Sequence, residues 1–127
     1  MKIILVDAIY AFVIEGQGMF RQMYELLETY PNRKIILTGA NGDRFIEYGL
    51  DKMLYEVFTL ANNPPKSDPT YYKKMLEYFG LTKDDVIYFE NNPDAVKSAQ
   101  SVGIVTYWYD PNKKDLEALK FFLDKNT

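Results

Sequence analysis

The chain has 127 residues, 47% of them hydrophobic and 26% charged, which is the composition of one globular domain and not of a disordered segment. Its net charge is −3, with Lys and Arg spread along its length, so there is no basic footprint for nucleic acid. Cysteine and histidine are both absent, which excludes disulfide frameworks, thiolate chemistry and imidazole as base or metal ligand. Any catalysis must rest on carboxylates, hydroxyls, lysine or backbone amides.

The first element is an apolar strand, Lys2–Val6, which delivers Asp7 at its carboxyl end. Helical spacing of Met19, Phe20, Met23, Leu26 and Leu27 predicts a helix over Gly16–Thr29 that stops at Tyr30-Pro31. Lys34–Leu37 is a second strand, ending at Thr38-Gly39, and Asp43–Leu50 a second helix. Glu56–Leu60 is a third strand. The polar turn Asn62-Asn63-Pro64-Pro65-Lys66 follows, and either Ser67 or Asp68 caps a helix that begins near Pro69 and closes at Gly80. Val86–Phe89 is the fourth strand and ends at Glu90. Asn92-Pro93 starts the next helix, which runs to Val102-Gly103. Ile104–Tyr109 is the fifth strand and Lys113–Lys125 an amphipathic closing helix.

Five strands alternating with helices predict an α/β fold: a single doubly wound, Rossmann-like domain over 1–127, with about five parallel strands and helices on both faces. No apolar run is long enough to span a bilayer, and the first lacks a small-residue cleavage site, so the expected location is the cytoplasm. The 11 tyrosines, several in runs such as Tyr71-Tyr72 and Tyr107-Trp108-Tyr109, are expected at the edges of the core.

In parallel α/β sheets, ligands gather at the carboxyl ends of strands. Asp7, Thr38, Lys66 and Glu90 all lie at such ends or in the loops beyond them. With the stretches IILVD, KIILTGA, PPKSDP and VIYFENNPDAVKSAQSVGI in this order, the chain resembles the haloacid dehalogenase-like (HAD) superfamily of hydrolases over nearly its whole length. Ala99, Gly103 and Ile104 fill the places of the small-residue helix and the strand that follow the family's fourth motif. The resemblance implies that Asp7 is the nucleophile, forming an aspartyl-phosphate. Thr38 and the Gly39 amide would hold a phosphate oxygen, and Lys66 would orient the nucleophile and neutralise the phosphoryl charge. Magnesium would be held by Asp7, the backbone carbonyl of Ile9, Glu90 and Asn91. The implied substrate is a phosphorylated small molecule or macromolecule. This division of labour suits phosphoryl transfer, which needs mainly positioning and charge stabilisation.

Two departures from the family pattern stand out. The second Asp of the first motif, the acid and base of the family's phosphatases, is Ile9 here, and Tyr10-Ala11 replaces the Gly-Thr that usually follows. General acid–base catalysis is worth roughly 10²–10⁴-fold. Asn91 stands where a family magnesium ligand is usually Asp, leaving the site one negative charge short. Asp94 falls one turn into the helix, where it favours the helix N-terminus. Arg44 and Lys97 are expected on solvated helix faces.

Only the short stretch Ile9–Gly18 separates the first strand from its helix, so the chain resembles a capless member with an open site, one that a second copy or a partner protein would cover. The competing reading is a non-catalytic HAD-like domain that keeps the pocket for binding or assembly. A true haloacid dehalogenase, which needs a cap to hold its organic acid, ranks below both. An aspartate-phosphorylated receiver domain is rejected, because the acidic cluster after strand one is missing and Leu60-Ala61-Asn62 follows strand three.

Overall fold

The apolar runs and amphipathic segments fold in chain order in the computed structural model, which describes residues 1–127. Strand β1 (Ile3–Asp7) leads into a small hairpin, β2 (Val13–Ile14) and β3 (Gly18–Met19), and then helix α1 (Arg21–Glu28). Strand β4 (Lys34–Thr38), helix α2 (Gly42–Glu47) and strand β5 (Glu56–Thr59) follow. The second half comprises α3 (Pro69–Phe79), β6 (Val86–Glu90), α4 (Pro93–Ser101), β7 (Val105–Trp108) and α5 (Leu116–Asn126). Strands β5-β4-β1-β6-β7 form one parallel sheet in that order, with β1 at its centre.

The expected doubly wound architecture is therefore present. Alternation along the strands divides the core between the two sheet faces. Ile4, Val6, Ile36, Ile87 and Phe89 pack with Met23 and Leu27 of α1 and Leu119 and Leu123 of α5. Leu5, Ile35, Leu37 and Tyr88 pack on the other face with Tyr71, Tyr72 and Met75 of α3 and Ala99 of α4. The central strands are buried on both sides, which is why they read as unbroken apolar runs. Tyr71 and Tyr72 lie wholly inside the second core, not at its edge. No helix is long and apolar enough to cross a membrane.

Register brings the polar strand ends level. Asp7 pairs with Leu37 of β4, Val6 with Phe89 of β6, and Thr38 with Thr59 of β5. One residue beyond these pairs, Asp7, Thr38 and Glu90 crown adjacent strands.

Three helix boundaries differ from the sequence expectation. The first helix begins at Arg21, not Gly16, because residues 13–19 form the β2–β3 hairpin. Gly16 and Gly18 sit at φ of +75° and +76°, a conformation that glycine adopts without the Cβ penalty and that turns the chain back on itself. The second helix stops at Glu47 and is followed by a single tight turn, Leu50–Lys52. The closing helix starts at Leu116, since Lys114 adopts φ of +48° and Asp115 caps the helix by accepting from the Ala118 N–H (3.0 Å). Between Ser67 and Asp68, the cap is Asp68, which accepts from the Thr70 N–H at 2.9 Å.

Candidate active site

A cleft of about 280 Å³ opens above the carboxyl ends of β1, β4 and β6. Asp7, Thr38, Gly39, Lys66, Glu90 and Asn91 all line it, so the residues singled out in the sequence converge on one place. Asp7 and Glu90 end buried central strands and are almost fully enclosed, at 2% and 1% exposure. Lys66 reaches in from the loop before α3. Its ammonium donates to Asp7 Oδ1 and to Glu90 Oε1, each at 2.8 Å.

The opposite edge of Asp7 is held by Asn91. The Asn91 backbone N–H donates to Asp7 Oδ2 at 3.0 Å, and its side-chain Nδ2 donates to the same oxygen. That Nδ2 also donates to the Ile9 carbonyl at 2.7 Å. The Trp108 indole N–H, from β7, fixes the Asn91 carbonyl at 2.8 Å.

Glu90 is held just as closely. Its Oε1 accepts from Lys66 and from the Tyr88 hydroxyl, which lies 3.2 Å from the Tyr72 hydroxyl, and its Oε2 accepts from the Asn92 N–H (2.9 Å). Its oxygens are taken up by three donors, and it serves as the second anchor of Lys66. Tyr72 and Tyr88 were not legible as site residues, because only the alternation of β6 and the packing of α3 bring their hydroxyls behind Glu90.

Two carboxylates sharing one ammonium in a dry site would carry a net negative charge if both were ionised. Burial and the negative charge of Glu90 push the Asp7 carboxyl up to about 8, against the pull of Lys66. Burial also opposes ionisation of Glu90, but Lys66 and the hydrogen bonds it accepts hold it below the ordinary range. For Lys66, burial disfavours the ammonium, yet the attraction of Asp7 and Glu90 carries it well above the usual lysine value. Lysine is thus a fixed cation here.

At the end of β4, Thr38 is 1% exposed and its carbonyl accepts from the Tyr71 hydroxyl at 2.8 Å. Its Oγ1 accepts from the Ala40 N–H at 3.0 Å, which leaves the hydroxyl proton available to a ligand. Asn62 folds over the next residue so closely that a Cβ on Gly39 would lie 2.2 Å from its Oδ1. Any larger residue at position 39 would push the Asn62 side chain aside. Asn62, together with Asn92, Ser67 and Tyr10, lines the cleft without having been singled out. The one sequence signal for Asn62 was its place in the polar turn before Lys66. Arg44, expected on a solvated face, is exposed but stands at the cleft. Lys97 is on the solvated face of α4 as expected.

The donors around Asn91 suit a hard divalent cation. Asn91 Nδ2 lies between Asp7 Oδ2 and the Ile9 carbonyl, so an ion held by those two oxygens would take its place, with the carboxamide withdrawn and turned to present Oδ1. Such an ion would take the place of the proton that Asp7 otherwise holds and keep its carboxylate ionised. These three groups are the ones that would hold magnesium.

No protein-family model matches the chain, and no curated protein matches it. Solved structures do. An uncharacterized protein of Corynebacterium glutamicum superposes with a TM-score of 0.69, at 18% identity, over 94% of this chain and 92% of that one. A HAD family enzyme of Bacteroides thetaiotaomicron, crystallised with magnesium and inorganic phosphate, gives a TM-score of 0.68 at 12% identity, over 87% of this chain and 95% of that one. The UTR4 protein of Saccharomyces cerevisiae gives 0.57 at 16% identity, over 72% of this chain but 47% of that one. The chain has a HAD-like α/β fold, without a cap domain.

Proposed function

We propose that the protein is a hydrolase of phosphatase type that works through an aspartyl-phosphate on Asp7. The observation that carries this reading is the Lys66 ammonium bridging two enclosed carboxylates, Asp7 and Glu90, at 2.8 Å each, at the mouth of an open cleft. The Asp7 carboxylate attacks phosphorus while the bond from phosphorus to the leaving oxygen breaks. The Thr38 hydroxyl and the Gly39 N–H hold one phosphoryl oxygen, and Lys66 keeps Asp7 aimed and offsets the incoming negative charge. Magnesium, when bound by Asp7, the Ile9 carbonyl and Asn91, would supply the positive charge that keeps Asp7 ionised and draws the phosphoryl group in. The substrate is a phosphorylated small molecule or macromolecule, and a second copy or a partner protein would close the open cleft.

A second reading, a domain that retains the pocket for binding or assembly, is favoured by a specific observation: Ile9 lines the cleft where the family's acid and base stands. The test is p-nitrophenyl phosphate cleavage with and without magnesium. Release of p-nitrophenol that depends on magnesium and disappears in Asp7→Asn is the expected result. Release that persists in Asp7→Asn removes Asp7 as nucleophile, and no release at all in the wild type leaves the binding domain.

A further inference from the structure

The cleft holds a nucleophile and the Thr38 and Ser67 hydroxyls, which are too weakly basic to take a proton from water, but no free carboxylate or amine to act as a base. Ile9 lines the cleft but has only a hydrocarbon side chain, packed against the first core, and its carbonyl accepts from Asn91 at 2.7 Å. Tyr10 also lines the cleft, yet its φ of +69° carries its hydroxyl away to Glu15, to which it donates at 3.1 Å. Glu90 is occupied by Lys66, Tyr88 and the Asn92 N–H. Lys66 is bound between the two carboxylates. Arg44, at the cleft and exposed, is a permanent cation and cannot act as a base.

The consequences differ for the two halves of the reaction. Forming the aspartyl-phosphate needs no proton if the leaving group departs as a stable anion. Breaking it needs a base to take a proton from the attacking water. We infer that this site accepts phosphoryl groups from donors with self-sufficient leaving groups, acyl phosphates above all, and retains them as a long-lived phospho-Asp7. This inference rests on the proposed role of Asp7 and names the substrate class and the fate of the intermediate. In the step, an Asp7 oxygen bonds to phosphorus and the bond from phosphorus to the acyl oxygen breaks. The carboxylate leaves with the electron pair, and no proton changes hands. Alkyl phosphates, whose alkoxide must be protonated as it leaves, are poor donors here.

The experiment treats the full chain with acetyl phosphate in the presence of magnesium and follows the intact mass. A parallel rapid-mixing run with p-nitrophenyl phosphate follows p-nitrophenol. Expected are a gain of one phosphoryl group per chain that outlasts removal of the donor, and a burst of one equivalent of phenol followed by a much slower phase. Asp7→Asn shows neither. Ile9→Asp, which restores a proton carrier, shortens the life of the adduct by about 10²–10⁴-fold. Steady wild-type turnover without a burst or an adduct overturns the inference while leaving the phosphatase reading intact. Neither adduct nor phenol in the wild type overturns both. An adduct that survives in Asp7→Asn places the phosphoryl group elsewhere and also overturns the inference.

Discussion

Asp7 is 2% exposed and shares its lysine with Glu90, so its charge is tied to the stability of the folded chain. Folded, it holds a proton up to about 8, whereas the ordinary value is 3.8. Between those values the folded state binds more protons than the unfolded state. Stability therefore falls as pH rises through that window, by at most about 1.4 kcal/mol per pH unit. Asp7→Asn removes this term whatever its local packing cost. In metal-free buffer, the stability of the variant relative to the wild type should climb from pH 3.8 to about 8 and stay level above. Urea midpoints across that range measure it, and a difference that does not change with pH would refute the assigned direction. Asp7, Thr38, Glu90 and Lys66 were legible because each closes an apolar run or follows a distinct turn. The ion pair of Lys66 with Glu90 was not. Whether a carboxylate at a strand end meets a metal or a lysine depends on side-chain geometry that local sequence does not encode.

Elements were legible where the hydrophobic period persists over several residues, and misread where two glycines redirect the chain. Met19, Phe20 and Met23 fall at helical spacing, yet Met19 belongs to a strand and the helix starts only at Arg21. Strands of two residues, such as Val13–Ile14 and Gly18–Met19, carry no period of their own. Their turn is a backbone effect, and Gly16 is the residue that shows it, since a Cβ there meets nothing within 4 Å at φ of +75°. Gly16→Ala should cost about 1–2 kcal/mol through the left-handed backbone alone. Gly16→Asn should cost less, because asparagine tolerates that conformation. Chemical denaturation of both variants decides the matter. An asparagine variant as unstable as the alanine one would mean that the hairpin has a different origin.

At the scale of the whole molecule, the site has no scaffold separate from the fold. Asp7, Thr38 and Glu90 crown the three central strands, whose side chains supply both cores, so a ligand in the cleft is linked to global unfolding. The folded state gathers Asp7, Glu90 and Lys66 in one place, where a cation would displace the proton that Asp7 holds, and the unfolded chain disperses these groups. A cation held by Asp7, the Ile9 carbonyl and Asn91 should therefore stabilise the entire domain, by roughly 2.7 kcal/mol at a hundred times its dissociation constant. Calorimetric unfolding under increasing magnesium should show a transition temperature that rises with the logarithm of concentration. Asn91→Asp adds a formal charge to the donor set and should shift that rise to lower magnesium, since ligand charge tunes affinity. Asp7→Asn should flatten it. A wild-type transition that ignores magnesium, with Asn91→Asp responding, would show that the carboxamide keeps its nitrogen toward Asp7 and Ile9 and stands in for the ion. In that case the same two oxygens are satisfied from within the chain, and positive charge at the cleft would come from Lys66 and Arg44.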